Sequence, residues 1–167
     1  VERASMNIEL PPEEATLLEY AMDTIVKYNR IRHTRGGIDT LYAFVLSDSG
    51  MIHDGACFEP TISHATICGE RHAIANMILQ ESYQARIKSI LVADPVPEVQ
   101  ERSRPPCGTC RHIIWSQGTP ETSVVLVQYI QGLHGWTFPV VERFLIPDLY
   151  PYPFEPKEDL WQGFQPR

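Results

Sequence analysis

Three of the four cysteines in this sequence sit in two short stretches, Cys68-Gly69-Glu70-Arg71 and Pro106-Cys107-Gly108-Thr109-Cys110-Arg111. Thiols at i and i+3 share one side of a helix's first turn, so a single ion can bind Cys107 and Cys110 together. The positive end of that helix lowers thiol pKa values and favours the thiolate a metal requires. Cys68, also at the start of a predicted helix, can supply a third ligand from a separate turn. Three ligands leave one tetrahedral position open for water, the pattern of a catalytic rather than a structural site, with one Zn2+ per chain expected. Glu70, two residues past a ligand, is too short-tethered to bind the ion comfortably but reaches that water and can move its protons. Three thiolates leave the ion electron-rich and a weak Lewis acid. Arg71 and Arg111, each directly beside a ligand, can hydrogen-bond the sulfurs and offset that charge.

Other readings of the same residues stay open. Cys107-Gly108-Thr109-Cys110 alone fits a thioredoxin-like redox pair, although that motif needs neither a third cysteine nor a Glu two residues beyond it. A closed structural site would recruit a fourth ligand from His64, His72, His112 or Cys57, and would leave Glu70 without a purpose. His33, His53 and His134 read as solvated loop or strand residues.

The elements that must position these groups follow from periodicity. Pro12-Glu13-Glu14 opens a helix, and Leu18, Ala21, Met22, Ile25 and Val26 recur at helical spacing, which predicts a helix over 12–29. Residues 30–39 read as a loop. Thr40–Ser47 and Met51–Phe58 flank Asp48-Ser49-Gly50 as a hairpin. A helix follows over 68–81, a buried strand over 87–93, a charged Pro-rich surface loop over 94–106, and a short helix over 107–117 closed by Gly118. Ser123–Ile130 and Trp136–Val140 read as the last strands. Only five residues separate them, while a parallel crossover needs about a dozen, so these two strands are expected to be antiparallel. The order predicts an α/β fold with one five-stranded mixed sheet between helices. One domain over 1–167 is expected, with its core at about 14–150 and an aromatic, Pro-rich tail over 151–167. Tyr150, Tyr152, Phe154, Trp161 and Phe164 are expected to pack, being costly to leave wet.

Composition bounds the partners. The 167 residues are 43% hydrophobic and carry a formal net charge of -7, with 21 acidic against 14 basic residues. That balance repels a phosphate backbone, so no nucleic acid is expected. No apolar run approaches the ~20 residues of a membrane helix, the first residues lack a signal-peptide core, and the cysteines are too few for a disulfide scaffold. A cytoplasmic protein with no membrane partner is the expectation.

Cys68-Gly69-Glu70-Arg71 and Pro106-Cys107-Gly108-Thr109-Cys110-Arg111 together resemble the C-[AG]-E-R and P-C-G-x-C-R patterns of the cytidine deaminase family, in its small all-cysteine branch. The similarity reaches back to Asp54-Gly55-Ala56-Cys57-Phe58-Glu59 and forward to Leu145-Ile146-Pro147-Asp148-Leu149-Tyr150. It implies a cytidine deaminase-like three-layer α-β-α fold and hydrolytic deamination of a cytidine-like nucleoside. Zinc would be held by Cys68, Cys107 and Cys110, with Glu70 as proton carrier and Pro106, Arg71 and Arg111 around the ligands. Substrate would meet Cys57, Glu59, Gly69 and Tyr150, and the chain would form a homo-oligomer, a tetramer. The family's N-x-E stands here as Cys57-Phe58-Glu59, with a thiol replacing an amide that both donates and accepts. Asp39 replaces the Phe that packs on the base, His112 replaces a Gln, and Tyr150 is similar to blasticidin S deaminases. These departures imply preserved metal chemistry and altered sugar recognition. A blasticidin S-type or other modified nucleoside is therefore an alternative substrate, and a zinc-holding protein without turnover is the rival from another class.

Overall fold

A computed structural model describes residues 9–154. Its elements run α1 (Pro12–Thr34), β1 (Tyr42–Ser47), β2 (Ile52–Ala56), α2 (Gly69–Gln80), β3 (Ile87–Pro95), α3 (Gly108–Gln117), β4 (Ser123–Gly132), β5 (Gly135–Leu145) and α4 (Ile146–Leu149). The five strands form one mixed sheet in the order β2-β1-β3-β4-β5. Only β3 and β4 are parallel, joined through α3. β4 and β5 pair antiparallel down to Gly132 and Gly135, as their short connection requires.

Alternation along β1 builds the three layers. Tyr42, Phe44 and Leu46 join Leu17, Leu18, Ala21 and Ile25 of α1 in a core on one face. Ala43 and Val45 join Ala73, Ile74 and Met77 of α2 and Ile114 of α3 on the other. Successive side chains of a strand point to opposite faces, so a central strand covered on both sides is apolar throughout. All six residues of β1 are buried accordingly.

The structure departs from sequence expectation in a few places. α1 continues five residues beyond 29, because Arg30 and Arg32 favour helix and the cation Arg32 suits its negative end. It stops where Gly36 adopts a positive φ of 76°. β3 runs on through Pro95. His53 is buried, not solvated, and pairs with Glu81 at the end of α2, because it occupies an inward position of β2. The tail does not pack as expected over its described part. Tyr152 is 92% exposed and Phe154 65% exposed, while Trp161 and Phe164 lie outside the described residues.

Gly55 fixes how α2 meets the sheet. A Cβ there would stand 2.3 Å from both the Ala73 amide nitrogen and the Gly69 carbonyl oxygen. Glycine in a strand often marks such close backbone approach. Gly55→Ala must therefore push α2 away, at about 1–3 kcal/mol of stability. Denaturant unfolding together with zinc affinity measures this, since the first turn of α2 carries Glu70. An unchanged midpoint and affinity would show that the contact is slack.

Candidate active site

α2 and α3 begin side by side, and their first residues supply the cysteines. Cys68 is the N-cap of α2 and Cys107 the N-cap of α3, with Cys110 one turn into α3. The Sγ atoms of Cys68, Cys107 and Cys110 all lie within 4.8 Å of one another. Cys68 and Cys107 are 3.9 Å apart at sulfur. Zinc–sulfur bonds of about 2.3 Å at tetrahedral angles place two sulfurs about 3.8 Å apart, so the triad fits a zinc ion. No fourth His, Cys, Asp or Glu among the described residues joins the group. His72 Nδ1 turns instead to the backbone of Ala56, and His112 Nδ1 to the Tyr150 hydroxyl at 3.3 Å.

The three thiols and Glu70 lie close enough to shift one another's protonation. Burial raises the Cys68 thiol, and Glu70 raises it further. Burial and then Glu70 push Cys110 strongly upward. Cys107 is also subject to burial, yet hydrogen bonds from the backbone and side chain of Cys110 bring its thiol below the ordinary value. Three thiolates and a carboxylate converging at two helix N-termini repel one another unless a positive charge sits between them.

Glu70 lies in the first turn of α2, 3% exposed. Its Oε2 is buried without a hydrogen-bond partner among the described residues. A buried carboxylate oxygen is rarely left unpaired, so this atom points to a group absent from the protein itself. Burial is the main cause of its raised pKa, partly offset by hydrogen bonds from its own backbone and Cys110. An upward shift means that the buried carboxyl holds a proton more readily than an exposed one.

The arginines do not turn to sulfur as expected. Arg71 Nη2 donates to the Thr66 carbonyl at 2.6 Å. Arg111 Nε donates to the Pro106 carbonyl at 2.7 Å, and its Nη1 to Leu149 at 3.1 Å. Backbone carbonyls are stronger acceptors than thiols. Both residues thus brace the segments leading into the cysteines, and Pro106 serves through its carbonyl.

A cleft of about 340 Å³ opens over the cluster, lined among others by Cys57, Glu59, Cys68, Glu70, Asp94, Arg104 and Cys107. No family model matches the chain, and no curated protein matches it by sequence. Among solved structures, the cytidine deaminase from Burkholderia pseudomallei matches with a TM-score of 0.57 at 20% identity, over 79% of this chain and 98% of that one. A cytidine deaminase from Mycobacterium tuberculosis matches with a TM-score of 0.49 at 21% identity, over 70% of this chain and 79% of that one. The chain has a cytidine deaminase-like fold.

Within this cytidine deaminase-like frame, Cys57 and Glu59 reach the cleft together, the Cys57 Sγ standing 3.8 Å from Glu59 Oε1. Burial, with Glu59 adding to it, pushes the Cys57 thiol up to about 11, so it stays neutral. Gly69 and Tyr150 are not among the residues lining the cleft. Gly69 instead lets α2 close on β1, since a Cβ there would meet Leu41 Cδ2 at 2.9 Å and the Ala43 amide nitrogen of β1 at 3.3 Å. Tyr150 packs on α3 and accepts the Phe154 N–H at 3.2 Å, held away by its bond to His112. Asp39 borders the cleft but is tied down, accepting from His33 Nε2 at 2.7 Å and Trp136 Nε1 at 2.8 Å.

Sequence reasoning missed Asp94 and Arg104. Both read as ordinary members of the charged, Pro-rich surface loop over 94–106. The signal that could have found Asp94 was its place at the carboxyl end of a parallel strand, where ligand crevices of α/β sheets form.

Proposed function

We propose that this chain is a zinc-dependent hydrolytic deaminase of a cytidine-like nucleoside or related aminopyrimidine, releasing ammonia in a cytidine-to-uridine type of reaction. What carries the reading is the convergence of three cysteine sulfurs within 4.8 Å beside the buried, half-unpaired Glu70 carboxylate in one cleft. Cys68, Cys107 and Cys110 would hold one zinc ion, whose Lewis acidity makes water a nucleophile near neutral pH. Glu70 takes a proton from the attacking water and delivers it to the ring nitrogen. It then moves a second proton to the amine, which leaves as ammonia while the ring carbon becomes a carbonyl. Glu59 accepts from a hydroxyl of the substrate's substituent, beside the weakly bonding Cys57 thiol.

The test is ammonia release over cytidine, deoxycytidine, cytosine, blasticidin S and related aminopyrimidines, with zinc measured in the same preparation. Zinc without release from any of them would favour a non-catalytic metal-holding protein. Release from blasticidin S alone would favour the modified-nucleoside alternative.

A nucleic acid does not fit the net charge of -7. No helix among the described residues is long and apolar enough to cross a membrane. Three clustered thiols and a fourth nearby suit a reducing compartment, which supports a cytoplasmic location. We further infer a homo-oligomer, a tetramer. Phe58, Ile62 and Ile67 stand 57%, 58% and 42% exposed around the segment leading to Cys68, and Tyr152 and Phe154 are also bare. Exposed apolar groups of this size favour association. Light scattering is expected to report four chains per particle, and a monomer at assay concentrations refutes the assembly.

A further inference from the structure

The cleft has one basic group and four carboxylates. Arg104 lines it together with Asp39, Glu59, Glu70 and Asp94. Its guanidinium is held in place from below. Nε donates to Asp94 Oδ2 at 2.7 Å and Nη2 to Asp94 Oδ1 at 2.9 Å. The Asp94 side chain is 4% exposed and that of Arg104 77% exposed. A two-pronged bond of this kind fixes both the plane and the direction of the guanidinium. Nη1 makes no hydrogen bond among the described residues.

The loop that carries Arg104 is held by the neighbouring strands as well. Gln128 of β4 bonds Gln100 through both amide atoms, Oε1 accepting from the Gln100 N–H at 2.8 Å and Nε2 donating to its carbonyl at 2.9 Å. Glu142 of β5 accepts the Ser103 N–H at 2.7 Å. Pro105 and Pro106, each with a restricted φ, link Arg104 to Cys107, so the guanidinium keeps its place relative to the metal-binding thiols. A charged side chain anchored this firmly and left with free donors at a cleft is built to meet something.

We propose that Arg104, clamped by Asp94, is the specificity-determining donor of this cleft and selects a neutral, hydroxylated substituent on the ring to be deaminated. The proposal rests on the deaminase reading and deepens it. Cys57 lines the same cleft and offers only a weak donor, so the N–H groups of Arg104 supply the strong donors that the cleft otherwise lacks. A hydroxyl suits the pair of walls because it accepts from a guanidinium and donates to a carboxylate such as Glu59. A phosphate does not suit them. Asp94 already offsets the charge of Arg104, and three further carboxylates line the same space, so a dianion is repelled.

Equilibrium binding to zinc-loaded Glu70→Gln protein tests this without turnover. Cytidine, cytosine and cytidine monophosphate serve as probes, measured by calorimetry. Adding Arg104→Met is expected to weaken cytidine about 10–100-fold, the loss of a hydrogen bond from a charged donor, and to leave cytosine unchanged. Because Met leaves the buried Asp94 unpaired, Arg104→Lys is measured beside it, keeping the charge but losing the fork. Asp94→Asn, which loosens the clamp, is expected to weaken cytidine selectively as well. In the parent, cytidine monophosphate is expected to bind more weakly than cytidine. Equal losses for cytidine and cytosine would show a merely structural role and overturn the proposal. So would unchanged cytidine binding in both Arg104 variants, absent cytidine binding in the parent, or tighter binding of the monophosphate. Selective binding loss alongside wild-type protein that releases no ammonia would instead sink the deaminase reading while leaving Arg104 as the selecting residue.

Discussion

Glu70→Gln is expected to lower turnover of the best substrate by about 10²–10⁴-fold or more, while zinc content and the unfolding midpoint stay at wild-type values. General acid–base catalysis by one group spans roughly that range, and in the proposed reaction Glu70 serves more than one proton transfer. The amide is close in size and shape to the carboxylate and cannot accept a proton at neutral pH. Zinc is expected to be retained because Glu70 is not one of the three proposed sulfur ligands. Removing a buried carboxylate whose Oε2 lacks a partner also relieves a desolvation cost, so the midpoint has no reason to fall. Steady-state kinetics, metal analysis and thermal unfolding on one preparation decide it. Near wild-type turnover would remove Glu70 from the chemistry.

Loss of a ligand acts on the metal first. Cys107→Ala or Cys110→Ala is expected to bring zinc from one per chain to near zero and to abolish ammonia release. Structural zinc sites contribute on the order of 10 kcal/mol of binding free energy, and two remaining thiols cannot hold the ion against ordinary chelators. The two variants are expected to differ in the apo state. Cys110 is fully buried, so its truncation leaves a small void, whereas Cys107 is exposed and its loss costs the apo fold little. Metal analysis after gel filtration, with unfolding midpoints in chelator, reads both effects. Wild-type protein that carries no zinc but shows a reversible Cys107–Cys110 disulfide would turn the interpretation to redox chemistry.

Where sequence and structure agree, the information is local. The i, i+3 spacing of Cys107 and Cys110 placed both on one turn of α3, and both stand there. The apolar periods of α1 and α2 and the continuous apolar run of β1 set the layers, and the five-residue link between the last strands set their antiparallel pairing. Each of these depends on chain geometry over a few residues, which the side-chain types report directly.

The meeting of Cys68 with Cys107, across 39 positions, was read from two helix starts whose thiols could share one ion and from the resemblance of two motifs, not from any period. Other features were decided by tertiary packing alone. Gly55 is forced by the approach of the α2 backbone, and His53 is buried because α2 ends over it with Glu81. Arg71 and Arg111 chose carbonyls over sulfur once their loops had folded beside them. Tyr150 turned to His112 instead of the cleft, and Asp94 found Arg104 only when the loop over 96–106 was drawn down onto β4 and β5. The physical reason is common to all of them. A charged or polar side chain takes the best partner that burial brings within reach, and burial is a property of the assembled layers rather than of any short stretch of chain.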